Sequence, residues 1–113
     1  MIKKEKNYLV KKVKLSDCFL RNKKINIKAQ KQTDLYKQVL ESIKEKGLIN
    51  PLTVVMDNNK YKVCIGNNRY LACEELKIEY VNIIIAKNEE PLELKKYYKF
   101  YKKVLKNESP YIK

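Results

Sequence analysis

The stretch from residue 61 to residue 77, YKVCIGNNRYLACEELK, constrains the fold more than any other part of the chain. Its alternating apolar residues Tyr61, Val63 and Ile65 are typical of a β-strand. Gly66 ends this alternation, and two asparagines then lead into a segment with the composition of a helix. The sequence therefore predicts a strand, a tight turn and the start of a helix.

The start of this helix is suited to hold an anion. The first amides of a helix lack intrahelical partners and carry a partial positive charge. Asn67 or Asn68 can cap the helix and tolerates the left-handed backbone that such turns often need. Arg69 shares a helical face with Ala72 and Cys73, so its guanidinium should start from the buried side.

Arginine also suits an anion because it binds phosphate through two parallel hydrogen bonds. Open α/β sheets bind ligands in the crevice above the strand ends, which Arg69 should reach. We therefore interpret Arg69 as a clamp for a phosphate or carboxylate group. The structural alternative is a simple corner in which Arg69 pairs with Glu74, Glu75 or a carbonyl group.

Two motifs in this region resemble those of the ParB/sulfiredoxin superfamily. The segment GNNRYLA at 66–72 is similar to the family signature G-x-x-R-(aromatic)-x-A, and ESIKEKGLINPLTV at 41–54 is similar to SI-x-x-x-G-L-x-x-P-(apolar)-x-V. The resemblance covers residues 9–86 and implies a ParB/sulfiredoxin-like fold with a nucleoside triphosphate and magnesium as cofactor. It assigns the binding of the nucleotide phosphates to Gly66, Asn67, Asn68, Arg69 and Tyr70.

The chain departs from the family pattern at the positions that carry chemistry. ParB proteins that hydrolyse CTP usually have glutamate at the position of Asn67, whereas sulfiredoxins have their nucleophilic cysteine there and a histidine at the position of Asn68. Asparagine neither acts as a base near neutral pH nor attacks a phosphoryl or sulfinyl centre. ParB chains also continue into an E-N-x-x-R helix and a helix-turn-helix, and neither is recognisable after Ala86. The resemblance thus favours a pocket over catalysis, and we name no catalytic residue.

Composition narrows the class of protein. The 113 residues are 44% apolar and 35% charged, which is typical of one globular domain. There is no apolar run of the roughly 20 residues that span a bilayer and no signal peptide, so we expect a cytoplasmic protein. Cys18, Cys64 and Cys73 form no CxxC pair, and the chain has no histidine, so we predict buried thiols and no metal site.

The remaining pattern predicts an α/β domain with a small mixed sheet of about four strands and packed helices. We divide the chain into a basic flexible lead at 1–8, the ParB/sulfiredoxin-like domain at 9–86, and a C-terminal helix and tail at 87–113. The predicted elements of the domain are an edge strand at 9–15, a basic loop at 16–32, a helix from Thr33 or Asp34 to Gly47, a hairpin of strands 52–56 and 61–65, a helix at 68–77 and an interior strand at 81–86.

The C-terminal segment predicts an amphipathic helix from residue 94 to residue 106. Its apolar and aromatic residues fill one side, and the opposite side carries only lysines, namely Lys95, Lys96, Lys99, Lys102, Lys103 and Lys106. The net charge of +13, from 26 basic and 13 acidic residues, predicts attraction to polyanions. The lysine side fits a solvated surface, contact with nucleic acid phosphates, or contact with an anionic membrane surface.

Three functions are consistent with the sequence. The first is a ParB-like nucleotide-binding module that contacts DNA or RNA through a basic surface. The second is a small enzyme of the same fold, a nucleotide hydrolase, kinase or nuclease, that uses carboxylates near the 66–69 turn. The third is a protein-binding domain whose pocket is empty. The carboxylates available to an enzyme are Glu45, Asp57, Glu74 and Glu75.

Overall fold

The computed structural model describes residues 10–48 and 50–97. Within these residues the elements follow in the order β1 (Val10–Lys14), β2 (Cys18–Leu20), α1 (Ile27–Gln30), α2 (Asp34–Lys46), β3 (Leu52–Asp57), β4 (Lys60–Ile65), α3 (Asn67–Glu75) and β5 (Tyr80–Ile85). A fourth helix, α4, starts at residue 91 and is described as far as residue 97. The predicted lead at 1–8 and the part of the C-terminal segment after residue 97 lie outside the described residues.

The strands form one mixed sheet in the order β1-β5-β3-β4-β2. β1 pairs with β5 and β3 with β4 in antiparallel fashion, whereas β3 with β5 and β2 with β4 are parallel. This arrangement confirms the predicted α/β class, the edge position of β1 and the interior position of β5. In the described residues the sheet has five strands, where about four were expected.

The strand that the sequence did not indicate is β2, which lies inside the predicted basic loop. It has only three residues, too few to show an alternating pattern. Its parallel pairing aligns Cys18 with Tyr61 and Leu20 with Val63. The hydrogen bonds of a distant strand, rather than local propensity, thus make this segment extended.

The connection between β1 and β2 requires the sheet to curl. These strands lie at opposite ends of the sheet, and four strand spacings in a flat sheet amount to about 19 Å. Only a 3₁₀ turn, Leu15–Asp17, joins them. The four residue steps from Lys14 to Cys18 reach roughly 14 Å at most. The two ends of the sheet must therefore approach one another, and Lys11 Nζ in β1 lies 5.9 Å from the ring centroid of Tyr61 in β4.

Apolar residues pack on both faces of the sheet. On one face Val54, Val63 and Ile83 join residues of α2 and α3 in the larger core. On the other face Cys64 and Ile84 pack with residues of α4. Val63 and Cys64 of β4, and Ile83 and Ile84 of β5, thus enter different cores, which explains the unbroken apolar run in β5.

The three cysteines are buried free thiols, as predicted. Burial raises the pKa of Cys18 to about 11 and that of Cys73 to about 12. Burial also raises the pKa of Cys64. Because only the thiolate is a good nucleophile, these values favour packing over reactivity.

The predicted helix ends and hairpin are confirmed. Thr33 caps α2 by accepting a hydrogen bond from Tyr36 N at 3.1 Å, and Gly47 ends this helix with a φ of 80°. The β3–β4 turn has φ values of 51° at Asn58 and 65° at Asn59. Positive φ at both central residues is the geometry of a type I′ hairpin turn, whose twist matches that of the flanking strands.

Substitution of Asn59 tests this turn. We expect stability to decrease in the order Asn59→Gly, wild type, Asn59→Ala, with a total range of about 1 kcal/mol, because a Cβ without a local hydrogen-bonding group is disfavoured at positive φ. Urea unfolding of the three proteins measures the order. An alanine variant as stable as the glycine variant would show that the turn does not require a left-handed residue.

Candidate functional site

The turn between β4 and α3 is formed by a glycine in the left-handed conformation. Gly66 has φ 106° and ψ 34° and occupies the N-cap of α3, which corrects the expectation that Asn67 or Asn68 caps the helix. Asn67 is instead the first helical residue. The first hydrogen bond of the helix runs from Tyr70 N to Gly66 O at 2.8 Å. The amides of residues 67–69 therefore precede the helical hydrogen-bond pattern and are placed as an anion would need them.

Arg69 is buried beside this turn, with only 5% of its surface exposed. It lies on the helix face of Ala72 and Cys73, both fully buried, as the helical periodicity predicted. Burial raises the pKa of Cys73, and the positive charge of Arg69 opposes that increase. A guanidinium group in such surroundings is costly to desolvate, and its charge adds to that of the helix N-terminus.

Two hydrogen bonds attach other elements to the start of α3. Gln30 Nε2 of α1 donates to Asn68 Oδ1 at 2.7 Å, and Tyr70 Oη donates to Cys18 O of β2 at 3.3 Å. The end of the predicted basic loop therefore lies against the turn. Sequence reasoning missed both contacts, because the partners are far apart in the chain and no local pattern relates them.

A second polar cluster lies at the other end of α3. Tyr36 Oη, on a side chain that is only 2% exposed, donates to Glu75 Oε1 at 2.5 Å. Lys31 Nζ lies 3.5 Å from the same oxygen. The hydrogen bond from Tyr36 lowers the pKa of Glu75, and burial together with Glu75 raises the pKa of Tyr36. Glu75 thus stays ionised and attaches α2 to α3.

Two of the other carboxylates considered for an enzyme are also in ion pairs. Asp57 Oδ2 lies 3.5 Å from Lys62 Nζ, and Glu45 Oε1 lies 3.6 Å from Lys46 Nζ. Over residues 10–48 and 50–97, no three histidine, cysteine or acidic side chains are grouped so that they could hold a metal ion. In the same residues, no helix is long and apolar enough to cross a membrane.

The predicted lysine surface is described only in part. Lys95 and Lys96 are exposed on α4, whereas Lys99, Lys102, Lys103 and Lys106 lie outside the described residues. Lys96 Nζ lies 2.9 Å from Glu93 Oε1, and this hydrogen bond lowers the pKa of Glu93. The charge of Lys96 is therefore partly neutralised within the protein.

Arg21, the only other arginine of the chain, lies in a surface ion-pair cluster. Arg21 Nη1 is 3.8 Å from Glu89 Oε1, and Lys62 Nζ is 2.6 Å from Glu89 Oε2. The hydrogen bond to Glu89 raises the pKa of Lys62. The side chain of Arg21 is 41% exposed, whereas Arg69 is buried.

The curled mixed sheet, the left-handed glycine and the buried arginine define a small α/β domain with an anion-suited turn at a strand end. A family model, ParB N-terminal domain, matches residues 2–98. The chain belongs to this family.

Solved structures support the fold. The C-terminally truncated chromosome-partitioning protein ParB from Caulobacter crescentus, complexed with CTP-γ-S, is 16% identical with a TM-score of 0.59 over 75% of this chain. The chain spans 47% of the length of that protein. Sulfiredoxin from Arabidopsis thaliana is 21% identical with a TM-score of 0.53, and the match covers 71% of this chain and 86% of that one.

A further structure of the Caulobacter crescentus protein, complexed to the centromeric parS site, has a TM-score of 0.57 and 16% identity. That match covers 74% of this chain and 43% of that chain. A search of curated proteins gave no significant match. These structural similarities confirm the ParB/sulfiredoxin-like fold.

Substitution Tyr36→Phe tests the polar cluster. The lowered pKa of Glu75 means that its contribution to stability is present above its unfolded pKa and is lost as pH falls through the lower folded value. We expect the melting temperature of the wild type to fall more than that of Tyr36→Phe between neutral pH and about pH 3.

The same variant also tests the effect of alkaline pH on stability. Because the pKa of Tyr36 is raised, its contribution is complete below the unfolded pKa and is lost at higher pH. The wild type should therefore also lose more stability than Tyr36→Phe above about pH 10. Parallel melting curves for the two proteins over the whole pH range would contradict the role of this hydrogen bond.

Proposed function

We propose that the chain is a cytoplasmic, ParB-like nucleotide-binding module that contacts nucleic acid through a basic surface. Gly66, Asn67, Asn68, Arg69 and Tyr70 hold the phosphates of a nucleoside triphosphate that arrives with magnesium. The observation that carries this proposal is the buried Arg69 in the first turn of a helix that opens with a left-handed glycine.

The donors at the turn fit the phosphate groups. Amides that precede the helical hydrogen-bond pattern can approach an oxygen closely because Gly66 has no side chain. Arg69 adds a charged donor with a fixed planar geometry. The bound triphosphate supplies oxygens for magnesium, so the ion needs no cage of protein carboxylates.

Cytosine nucleotides are the first ligands to test. The relative from Caulobacter crescentus was solved with CTP-γ-S, and its fold matches 75% of this chain. Family membership carries the same suggestion, since the model match includes both the turn and the preceding hairpin. We therefore rank CTP ahead of the other ribonucleoside triphosphates.

The second half of the proposal is contact with nucleic acid. The relative from Caulobacter crescentus was also solved with its centromeric parS site. The present chain has a net charge of +13, and Lys95 is exposed on α4. Positive charge on that scale attracts a polyphosphate over long distances at low salt. We assign the contact to the lysine side of the C-terminal helix.

The enzyme alternative has less support in the side chains around the turn. Asn67 stands at the position where the CTP-hydrolysing ParB proteins have glutamate and the sulfiredoxins have cysteine. Glu75 accepts a hydrogen bond from Tyr36 at the far end of α3. Glu74 is exposed two helical turns after Asn67, roughly 10 Å further along the axis. A binding module therefore accounts for the turn more simply than a hydrolase does.

Thermal shift with nucleotides tests the phosphate site. We expect CTP with magnesium to raise the melting temperature of the wild type, by the equivalent of about 2.7 kcal/mol at a hundredfold excess over Kd. Arg69→Ala and Arg69→Lys should both lose most of the shift, since lysine cannot form the two parallel hydrogen bonds.

The matched control is Arg21→Ala, because Arg21 is the other arginine of the chain and pairs with Glu89 on the surface. It should keep the full shift. Circular dichroism without nucleotide reports whether each variant is folded. A folded Arg69→Lys variant that keeps the wild-type shift would refute the clamp.

Salt-dependent binding to duplex DNA tests the lysine side of α4. Lys95→Gln should reduce the slope of log K against log salt by roughly 0.9. Lys96→Gln should reduce it by less, because Glu93 already pairs with Lys96. Equal slopes for wild type and Lys95→Gln would exclude this residue from the interface.

A further inference from the structure

The hydrogen bond between Gln30 and Asn68 sets the orientation of a side chain that belongs to the proposed phosphate site. Gln30 Nε2 donates to Asn68 Oδ1 at 2.7 Å, and both residues are half-buried. A carboxamide has an acceptor oxygen at one end and a donor NH₂ group at the other. Because Gln30 holds the oxygen of Asn68, the Nδ2 group of Asn68 is the end that remains for another partner.

The backbone of Gln30 is fixed on both sides of the residue. Gln30 N donates at 2.9 Å to the carbonyl oxygen of Asn26, the N-cap residue of α1. Gln30 O accepts hydrogen bonds from Thr33 N at 3.2 Å and from Thr33 Oγ1 at 2.9 Å. Thr33 is in turn the N-cap residue of α2. The side chain of Gln30 therefore reaches the first turn of α3 from a backbone that is tied to α1 and α2.

The orientation of Asn68 decides whether this side chain attracts or repels an anion. An ionised phosphate oxygen accepts hydrogen bonds, so Nδ2 would donate to it, whereas Oδ1 in the same place would repel it. Asn68 is the second residue of α3, among the backbone amides of residues 67–69 that precede the helical hydrogen-bond pattern. With its oxygen held by Gln30, Asn68 adds a donor of the same polarity as these amides.

A second amide at this end of the sheet has a donor that needs an acceptor. Among residues 10–48 and 50–97, Asn50 Nδ2 is buried and has no hydrogen-bond partner. β3 runs antiparallel to β4 and Thr53 is aligned with Ile65, so the start of β3 lies beside the end of β4. Asn50, three residues before Thr53, therefore lies at the end of the sheet where α3 begins. A buried donor without a partner is costly, and a ligand with acceptor oxygens would satisfy it.

We propose that Gln30 is a positioning residue of the phosphate site. It holds Asn68 Oδ1, so that Asn68 Nδ2 donates to a phosphate oxygen of the bound nucleotide, and it does not itself contact the ligand. The inference rests on the proposed function and deepens it, since it explains how Asn68 is kept in the orientation that an anion requires. A contact that only tied α1 to α3 would not depend on which end of the Asn68 amide faces the ligand.

Gln30→Glu is the most informative substitution, because it keeps the size of the side chain and reverses its role in the hydrogen bond. A carboxylate only accepts, so it pairs with Asn68 Nδ2 and turns Asn68 Oδ1 towards the phosphate. We expect CTP with magnesium to bind Gln30→Glu about tenfold more weakly than the wild type in isothermal titration calorimetry. Gln30→Ala lets Asn68 adopt either orientation, so its affinity should lie between the two.

Gln32→Glu is the matched control for the added charge. It introduces the same negative charge two residues further along the chain, on an exposed side chain. Its loss of affinity should be much smaller than that of Gln30→Glu, because it leaves the hydrogen bond to Asn68 intact. Melting curves without nucleotide show whether each variant is folded.

A double-mutant cycle separates positioning from direct contact with the ligand. Asn68→Ala removes the donor itself and should weaken CTP binding about tenfold. In the Asn68→Ala background, Gln30→Ala should have no further effect on affinity, because Gln30 acts only through Asn68. A direct contact between Gln30 and the nucleotide would instead give additive losses.

Three results would overturn the inference. These are a folded Gln30→Glu variant that binds CTP as tightly as the wild type, a Gln32→Glu variant that loses as much affinity as Gln30→Glu, and additive losses in the double-mutant cycle. A wild type that does not bind CTP would refute the proposed function itself. Binding that is lost in Arg69→Lys but kept in Gln30→Glu would refute the role of Gln30 alone.

Discussion

The short link between β1 and β2 is the constraint on which the rest of the structure depends. Three residues join strands at opposite ends of the sheet order, so the sheet can form only if it curls. The curl brings β2 alongside β4 and places the following segment over the start of α3. Without it, Gln30 could not reach Asn68, and Cys18 could not accept a hydrogen bond from Tyr70.

The curl also explains how a small chain can keep a charged group inside. Helices α2 and α3 lie on one face of the sheet and α4 on the other, which buries residues of β4 and β5 on both faces. Arg69 enters this packing from the first turn of α3. The desolvation of its guanidinium costs free energy that apolar burial elsewhere in the domain must offset.

The positive charge of the chain is distributed in two different ways. Lys31, Lys62 and Lys96 have acidic partners, so their charges mainly connect elements of the fold. Lys95 is instead exposed on α4, on the surface to which we assign nucleic acid. Total charge therefore overestimates the potential that a partner meets, because the local pairs remove part of it.

Local sequence determined α2, α3, the hairpin and the turn before α3, whereas α1 lies in the segment predicted to be a basic loop. The caps of α2 and the positive φ at Asn58 and Asn59 depend on the residue and its neighbours, which is why the pattern predicted them. The burial of Arg69 followed from helical periodicity alone. The family motifs at 41–54 and 66–72 identified the class of fold.

Tertiary structure alone decided strand β2 and the pairing of Tyr36 with Glu75. Both join residues that are distant in the chain, and their approach depends on the curl of the whole sheet. A three-residue strand has no periodicity of its own, and a hydrogen bond across 39 positions leaves no local pattern. Sequence thus determined which groups could bind an anion, and packing determined which of them share one surface.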